Sequence, residues 1–232
     1  MSRFFSTYRD AFFRLNDRVS FAWDDWNYTD YFYFEDTEFS AKFVDASFTG
    51  CRGFIIAAAE LIAVRMHPFV DVSPTLAYLD AAWVSMLEDG ICDYAVLSRS
   101  DWAGPNLGPL RAGMLVVNDA LFDAVVDGDI RARCSFIHNL LQHVLEDHQL
   151  PTYDKWVKTV LLRLRSDHSN RQAAVSIFQE TMPLGAPCAP ETFIVEQPFS
   201  PEQAEKALVA HRQRLERENP WLLTEPLRGI VG

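Results

Sequence analysis

The spacing of apolar residues predicts helices along most of the chain. Residues 3–19 place apolar side chains at steps of three and four, the period of an amphipathic helix. The stretch Phe54–Met66 is apolar around nearly its full circumference, which predicts a helix at the centre of the core. Further helical patterns follow Ser73, cover Arg131–Asp147 and Tyr153–Arg165, and begin again at Pro201. The sequence therefore predicts a mainly α protein, a single compact domain of roughly eight to ten helices.

Two stretches depart from the helical period. Residues 98–113 contain Gly104-Pro105, Gly108-Pro109 and Gly113, and such pairs predict a loop. The aromatic run Tyr31–Phe34 fits a short strand as well as a helix, because aromatic side chains suit a pleated surface. A minor β element near residues 31–48 is therefore kept as an alternative.

Five prolines between residues 183 and 201 mark a connection near the C-terminus. We divide the chain there into a helical core domain, residues 1–182, and a second part, residues 183–232. That second part is a proline-rich connection with a C-terminal helix packed on the core. Its tail, Asn219–Leu223, is apolar enough to dock on the core as well.

Segment lengths and cysteine spacing give the expected compartment. No apolar run reaches the roughly 18 residues of a membrane span, and the first residues lack the basic and apolar regions of a signal peptide. We therefore expect a cytoplasmic protein that does not enter a membrane. The four cysteines lie more than 40 residues apart with no CxxC pair, which predicts buried thiols rather than disulfides or a zinc site.

The net charge of −11 is concentrated in the first 150 residues. These hold 22 acidic and 11 basic residues, whereas residues 151–232 hold 10 of each. An acidic surface disfavours nucleic acid as a ligand, because a basic footprint normally dominates such interfaces. It is compatible with a basic protein partner, and equally with acidity that serves solubility alone. The sequence does not fix the oligomeric state.

Residues 21–48 combine aromatic and acidic side chains at high density. They hold eleven aromatic residues and seven carboxylates against one base, Lys42. The aromatic side chains are either anchors of a binding surface or part of the core. On the first interpretation, the predicted partner-binding residues are Trp23, Asp24, Asp25, Trp26, Glu35, Asp36 and Glu38.

The candidates for catalysis are weak. His138 and His143 are about 140° apart on one helix, so they cannot ligate the same ion, and no HExxH motif is present. Glu60 lies in an apolar helix, where an ion pair with Arg52, Arg65 or a base on another helix is the simplest explanation. Asp24-Asp25 has no third carboxylate one turn away. We therefore predict no catalytic residue, no cofactor and no metal ligand.

Two functional hypotheses follow. The first is a stoichiometric protein-binding protein that captures a basic partner through its acidic, aromatic surface. By analogy of composition, a bacterial immunity protein that neutralises a toxin has these properties. The alternative is a small metal-dependent hydrolase that uses His143 and Asp147, with Glu60 or His67 as further candidates. A stoichiometric bound metal would favour the hydrolase, and a salt-sensitive complex with a basic protein would favour the first hypothesis.

Overall fold

The computed structural model describes residues 3–9, 19–123, 130–169, 185–215 and 219–227. Within these ranges the chain forms eight α-helices and no β-strand, so the prediction of a mainly α, single-domain fold is confirmed. The helices are α1 (Arg3–Arg9), α2 (Thr37–Ser40), α3 (Phe48–Met66), α4 (Ser73–Val84), α5 (Gly104–Asn118), α6 (Ile130–Val144), α7 (Leu150–Asp167) and α8 (Pro201–Leu215). Short 3-10 turns lie at Tyr28–Tyr31, Ala41–Phe43 and Pro190–Phe193, and α5 continues as a π-helical turn, Asp119–Asp123.

Helix α3 is the centre of the molecule, as its apolar circumference predicts. All 19 of its residues are buried, and α1, α4, α5 and α6 pack around it. Gly53 lets the turn at Pro190–Phe193 come close, because a Cβ at this position would lie 2.7 Å from Cζ of Phe193. A helix that is apolar on every face is stable only when other elements cover it on every side.

The ionisable residues of α3 have partners that connect it to later segments. Glu60 is completely buried and accepts a hydrogen bond of 2.5 Å from the indole Nε1 of Trp83 in α4. Arg52 is also buried, and its guanidinium lies 2.6 Å from the carboxylate of Asp89. Buried charges are costly without such partners, so these contacts constrain where the neighbouring segments lie.

Helix α5 shows that the prediction of a loop over residues 98–113 is wrong for residues 104–113, whereas residues 98–103 form no helix. The helix begins at Gly104, which places Pro105 in the first turn, where no backbone N–H is needed. Pro109 costs a further hydrogen bond inside the helix, and the packing of α5 against α3 compensates for it. Tertiary packing therefore overrides the low intrinsic helix propensity of this stretch.

Other local predictions have mixed outcomes. No strand forms near residues 31–48, where the described backbone has only an isolated bridge between Ala46 and Ser169. The helix predicted over residues 3–19 is present as α1, whose Phe4, Phe5 and Tyr8 are buried. Residues 10–18 of that prediction lie outside the described residues.

The C-terminal part packs on α4 and on the loop after it. Helix α8 lies against α4, where the imidazole Nε2 of His211 is 3.3 Å from the carboxylate of Asp80. The tail then pairs with residues 90–93, since Asp93 N–H donates to Trp221 O and Leu223 N–H donates to Ile91 O. The expectation that the tail docks on the body is confirmed.

None of the helices in the described ranges is both long and apolar enough to cross a bilayer. All four cysteines are buried, and none forms a disulfide.

Trp156→Ala tests the packing of α7 on the core. The indole is 1% exposed, stacks on Phe54 and donates to the carbonyl of Phe193. We expect its removal to lower the free energy of unfolding by about 3–5 kcal/mol in chemical denaturation. Leu162→Ala on the same helix is the control, because Leu162 is 66% exposed and its truncation should cost less than about 0.5 kcal/mol. Equal losses in the two variants would contradict this packing.

Candidate functional site

Segment 23–34 is attached to the first two turns of α5. The carboxylate of Asp25 accepts the backbone N–H of Gly104 with both oxygens, at 3.0 and 2.8 Å. Trp23 donates its indole N–H to the same carboxylate at 2.9 Å, and its ring occupies the space that a side chain on Gly108 would need. Because the carboxylate accepts a donor that the first turn of a helix leaves unpaired, Asp25 stabilises the start of α5 from outside the helix.

Segment 93–99 lies along the same helix in the opposite direction. Tyr94 packs on Phe122 with ring centroids 5.3 Å apart, and the backbone of Ala95 exchanges two hydrogen bonds with the Asn118 side chain. Further along, the carbonyl of Leu97 accepts from Nε of Arg111 at 3.2 Å. This segment therefore follows α5 from its C-terminal end towards its N-terminal end.

The two segments meet at one end of α5 and leave a strip of the helix between them. The guanidinium of Arg99 lies over the ring of Trp26, with its carbon 4.3 Å from the centroid. Beyond this contact, the half-exposed Arg111, Leu115 and Asp119 follow one another at four-residue intervals, which places them on one face of the helix. We call this strip, together with segments 23–34 and 93–99, the α5 groove.

The α5 groove concentrates exposed apolar side chains. Among the described residues, nine large hydrophobic side chains are exposed, and five of them lie on the two flanking segments. These are Trp26 (78% exposed), Tyr33 (52%), Phe34 (53%), Tyr94 (45%) and Val96 (85%). Isolated exposed apolar residues are common on protein surfaces, whereas large contiguous patches of them are typical of interaction sites.

The α5 groove is acidic. It holds five carboxylates, Asp24, Asp25, Asp30, Asp93 and Asp119, against the two guanidinium groups of Arg99 and Arg111. The backbone N–H of Trp26 and the side-chain amide of Asn27 donate to Asp24, and these hydrogen bonds lower the pKa of its carboxyl group. Both guanidinium groups lie over aromatic rings, that of Arg111 over Tyr28 at 5.0 Å.

The seven predicted partner-binding residues fall into two groups. Trp23, Asp24, Asp25 and Trp26 belong to the α5 groove, and only Trp26 among them is highly exposed. Glu35, Asp36 and Glu38 lie at the start of α2, next to α6. There the Asp36 carboxylate accepts the backbone N–H groups of Glu38 and Phe39, and the Glu35 carboxylate accepts the hydroxyl of Ser40. Several of these carboxylates therefore also stabilise the local fold.

The eleven rings of residues 21–48 differ in their burial. Four of the eleven rings are buried in the core: Phe32, Phe39, Phe43 and Phe48. Four are partly buried against it: Phe21, Trp23, Tyr28 and Tyr31. Three are exposed: Trp26, Tyr33 and Phe34.

His143, from the hydrolase alternative, and His138, on the same helix, have separate surroundings. Nε2 of His143 lies 2.7 Å from the carbonyl oxygen of Ala22, and the ring stacks on Tyr31 at 4.2 Å. Nδ1 of His138 lies 2.8 Å from the hydroxyl of Tyr153, and burial, followed by the charge of Lys42, lowers the pKa of His138 to about 4. The two histidines therefore do not share one site.

A cleft of about 610 Å³ lies beside His143 at the end of α6. His143, Glu146, Asp147 and His148 line it, and Glu146 lies 3.3 Å from both Arg65 and His148. Among the residues with described positions, no three His, Cys, Asp or Glu side chains are placed to hold a metal ion. The geometry therefore gives no specific support to a hydrolase that uses His143 and Asp147.

The remaining candidates for catalysis have structural contacts. Glu60 bonds to Trp83 inside the core, while Arg52 pairs with Asp89 and Arg65 with Glu146. Nδ1 of His67 lies 2.7 Å from the carbonyl oxygen of Val64 on its own helix.

Half of the α5 groove is missed by the sequence analysis. Tyr94, Val96 and Leu115 carry no motif, and the prediction of a loop over residues 98–113 hides the helix on which the groove is built. The sequence does contain one indication of this helix. Leu107, Arg111, Leu115 and Asp119 are spaced four residues apart, which is typical of one helical face.

The chain matches no protein-family model, and no curated protein or solved structure is significantly similar to it.

Gly108→Ala tests the attachment of segment 23–34 to α5. The added methyl group overlaps the indole of Trp23, so we expect a loss of about 1–3 kcal/mol in the free energy of unfolding. In a Trp23→Ala background the same substitution should be neutral or stabilising, because alanine is the better helix former. An equal loss in both backgrounds, measured by chemical denaturation, would show that the indole does not cover Gly108.

His138→Gln tests the burial of this imidazole. Its pKa falls from 6.5 to about 4 on folding, so the folded state favours the neutral ring. The unfolded chain then binds the proton first as the pH falls, and about 3 kcal/mol of stability should be lost between pH 6.5 and 4. The variant cannot bind this proton, and its stability should fall less over that interval. Parallel stability curves for wild type and variant would contradict the lowered pKa.

Proposed function

We propose that this protein binds a basic protein partner in a stoichiometric complex, through the α5 groove and the adjacent acidic start of α2. The observation that carries the proposal is the concentration of exposed aromatic and aliphatic side chains on two segments that flank one helix. Exposed Trp and Tyr side chains are favoured anchors of protein interfaces, because they bury a large area with little loss of side-chain entropy.

Charge supports a basic partner. The carboxylates around the groove and on α2 outnumber the nearby bases, and Arg99 and Arg111 already lie over rings of segment 23–34. An acidic rim around apolar anchors accelerates the association of a basic partner and slows that of an acidic one. Neutralisation of a toxin, as by a bacterial immunity protein, is the specific form of this proposal in which the acidic surface covers a basic functional surface of the partner.

Affinity capture from the native organism with matched variants tests the proposal. The groove variant combines Trp26→Ser with Val96→Ser, and the control variant combines Leu162→Ser with Val209→Ser, which remove exposed apolar side chains elsewhere. We expect wild type and control to retain the same basic protein. With that purified protein, the groove variant should dissociate at least tenfold faster, as loss of an interface anchor does.

Variants with altered charge distinguish the electrostatic attraction that speeds association from the apolar contacts that slow dissociation. Asp30→Asn with Glu38→Gln removes exposed carboxylates that do not cap a helix, whereas Asp25 and Asp36 are left intact because they stabilise α5 and α2. This variant should associate more slowly and with a weaker salt dependence, at an unchanged melting temperature. Capture of an acidic partner, or unchanged rates in both the groove and the charge variants, would overturn the proposal.

A further inference from the structure

We infer that the pocket between the Tyr28–Tyr31 turn and α5 receives an arginine side chain of the bound protein. The identity of the bound protein rests on the proposed function, but the recognition of a guanidinium group is a property of the pocket itself. The pocket has a volume of about 230 Å³ and lies within the α5 groove.

Aromatic rings form one side of this pocket. Phe32 is buried at its base, with the ring centroids of Tyr28 and Tyr33 each 6.1 Å from its own. The rings of Phe32 and Tyr33 are nearly perpendicular, at 89°, so they form a corner rather than a flat wall. The ring of Phe136 packs against Tyr33, with the two ring centroids 4.5 Å apart.

The opposite side of the pocket comes from α5. Leu115 and Val116 supply aliphatic wall, and Asp119, one turn beyond Leu115, contributes a carboxylate. Such a lining suits a side chain with an apolar stem and a cationic end, because the stem packs on Leu115 and Val116 while the charge meets ring faces and the carboxylate. An acidic side chain would be repelled there by the carboxylate of Asp119.

The planar guanidinium distinguishes arginine from lysine in this pocket. A guanidinium can stack on a ring and donate two hydrogen bonds to one carboxylate, whereas an ammonium acts as a compact, strongly hydrated charge. The protein already uses this chemistry in the same groove, where Arg99 lies over Trp26 and Arg111 over Tyr28. Arg111 adds one like charge near the pocket, because its guanidinium lies over Tyr28, and the carboxylate of Asp119 has the opposite charge.

Three small probes test the pocket without the partner. They are the Nα-acetyl methylamides of arginine, lysine and citrulline, the last being a neutral analogue of arginine. Titrations are followed by the 13C-methyl NMR signals of Leu115 and Val116, with the exposed Leu162 on α7 as the internal control. We expect saturable shifts with arginine, weaker binding of lysine, and affinity for citrulline lower by about tenfold or more, without shifts at Leu162.

Two variants locate the interaction. Asp119→Asn should weaken binding of the arginine probe by about tenfold and reduce its advantage over citrulline. Tyr33→Leu should remove the advantage of arginine over lysine, because it removes a stacking surface. Asp101→Asn, an exposed carboxylate outside the pocket, is the matched control and should bind like wild type. If Asp119→Asn disturbs the NMR spectrum of the whole protein, Tyr33→Leu decides the question.

The outcomes separate this inference from the proposed function. Citrulline binding as tightly as arginine, lysine binding more tightly, or shifts that appear equally at Leu162 would overturn the inference. If the arginine probe binds as expected but no basic protein depends on the groove variant, the pocket assignment stands and the proposed function fails. If a basic protein binds through the groove but the probe does not shift Leu115 and Val116, the proposed function stands and the arginine assignment fails.

Discussion

The exclusion of water from α3 is the constraint on which the rest of the structure depends. A helix of 19 buried residues needs neighbours on every side. Helices α1, α4, α5 and α6 provide them by packing around α3. The helix also carries ionisable groups into the core. Glu60 and Arg52 therefore determine where Trp83 and Asp89 must lie, since an unpaired buried charge would cost several kcal/mol.

The α5 groove is a consequence of a weak helix packed against that strong one. Glycine and proline residues give the first half of α5 little helical stability of its own, so it depends on α3 beneath and on segment 23–34 beside it. Asp25 supplies acceptors at its start, and Trp23 fills the space above Gly108. Stability and the proposed binding are linked here, because the same segment that holds α5 in place also presents Trp26 and Tyr33 to solvent.

The sequence predicts this fold well where local pattern and tertiary role agree. The continuous apolar pattern of Phe54–Met66 predicts a central helix because a helix without a polar face has no other stable location. The prediction fails at residues 104–113, where propensity favours a loop and contacts with segments distant in sequence, among them α3 and Trp23, make a helix stable. The neighbouring residues do not carry that information.

The candidate site was predictable only in part for the same reason. The density of rings and carboxylates in residues 21–48 identifies Trp26 as a candidate anchor, but composition cannot distinguish exposed rings from the buried rings of Phe39 and Phe43. Tyr94 and Val96 join the site because α5 brings two distant segments together. Carboxylates such as Asp25 look like free surface charge in the sequence, whereas in the fold they accept hydrogen bonds at the start of a helix.

The four thiols give this protein a built-in set of reporters for local opening. Cys92 is covered by the tail through its bridge to Leu222, Cys188 lies beside His168, and Cys134 contacts the backbone of Cys51 between α6 and α3. Burial raises the pKa of Cys92 to about 12, which keeps that thiol protonated and unreactive until the tail moves away. Mass spectrometry can measure the alkylation rate of each cysteine in the native chain. The rate at Cys92 therefore reports detachment of the tail, and the rate at Cys134 reports separation of α6 from α3.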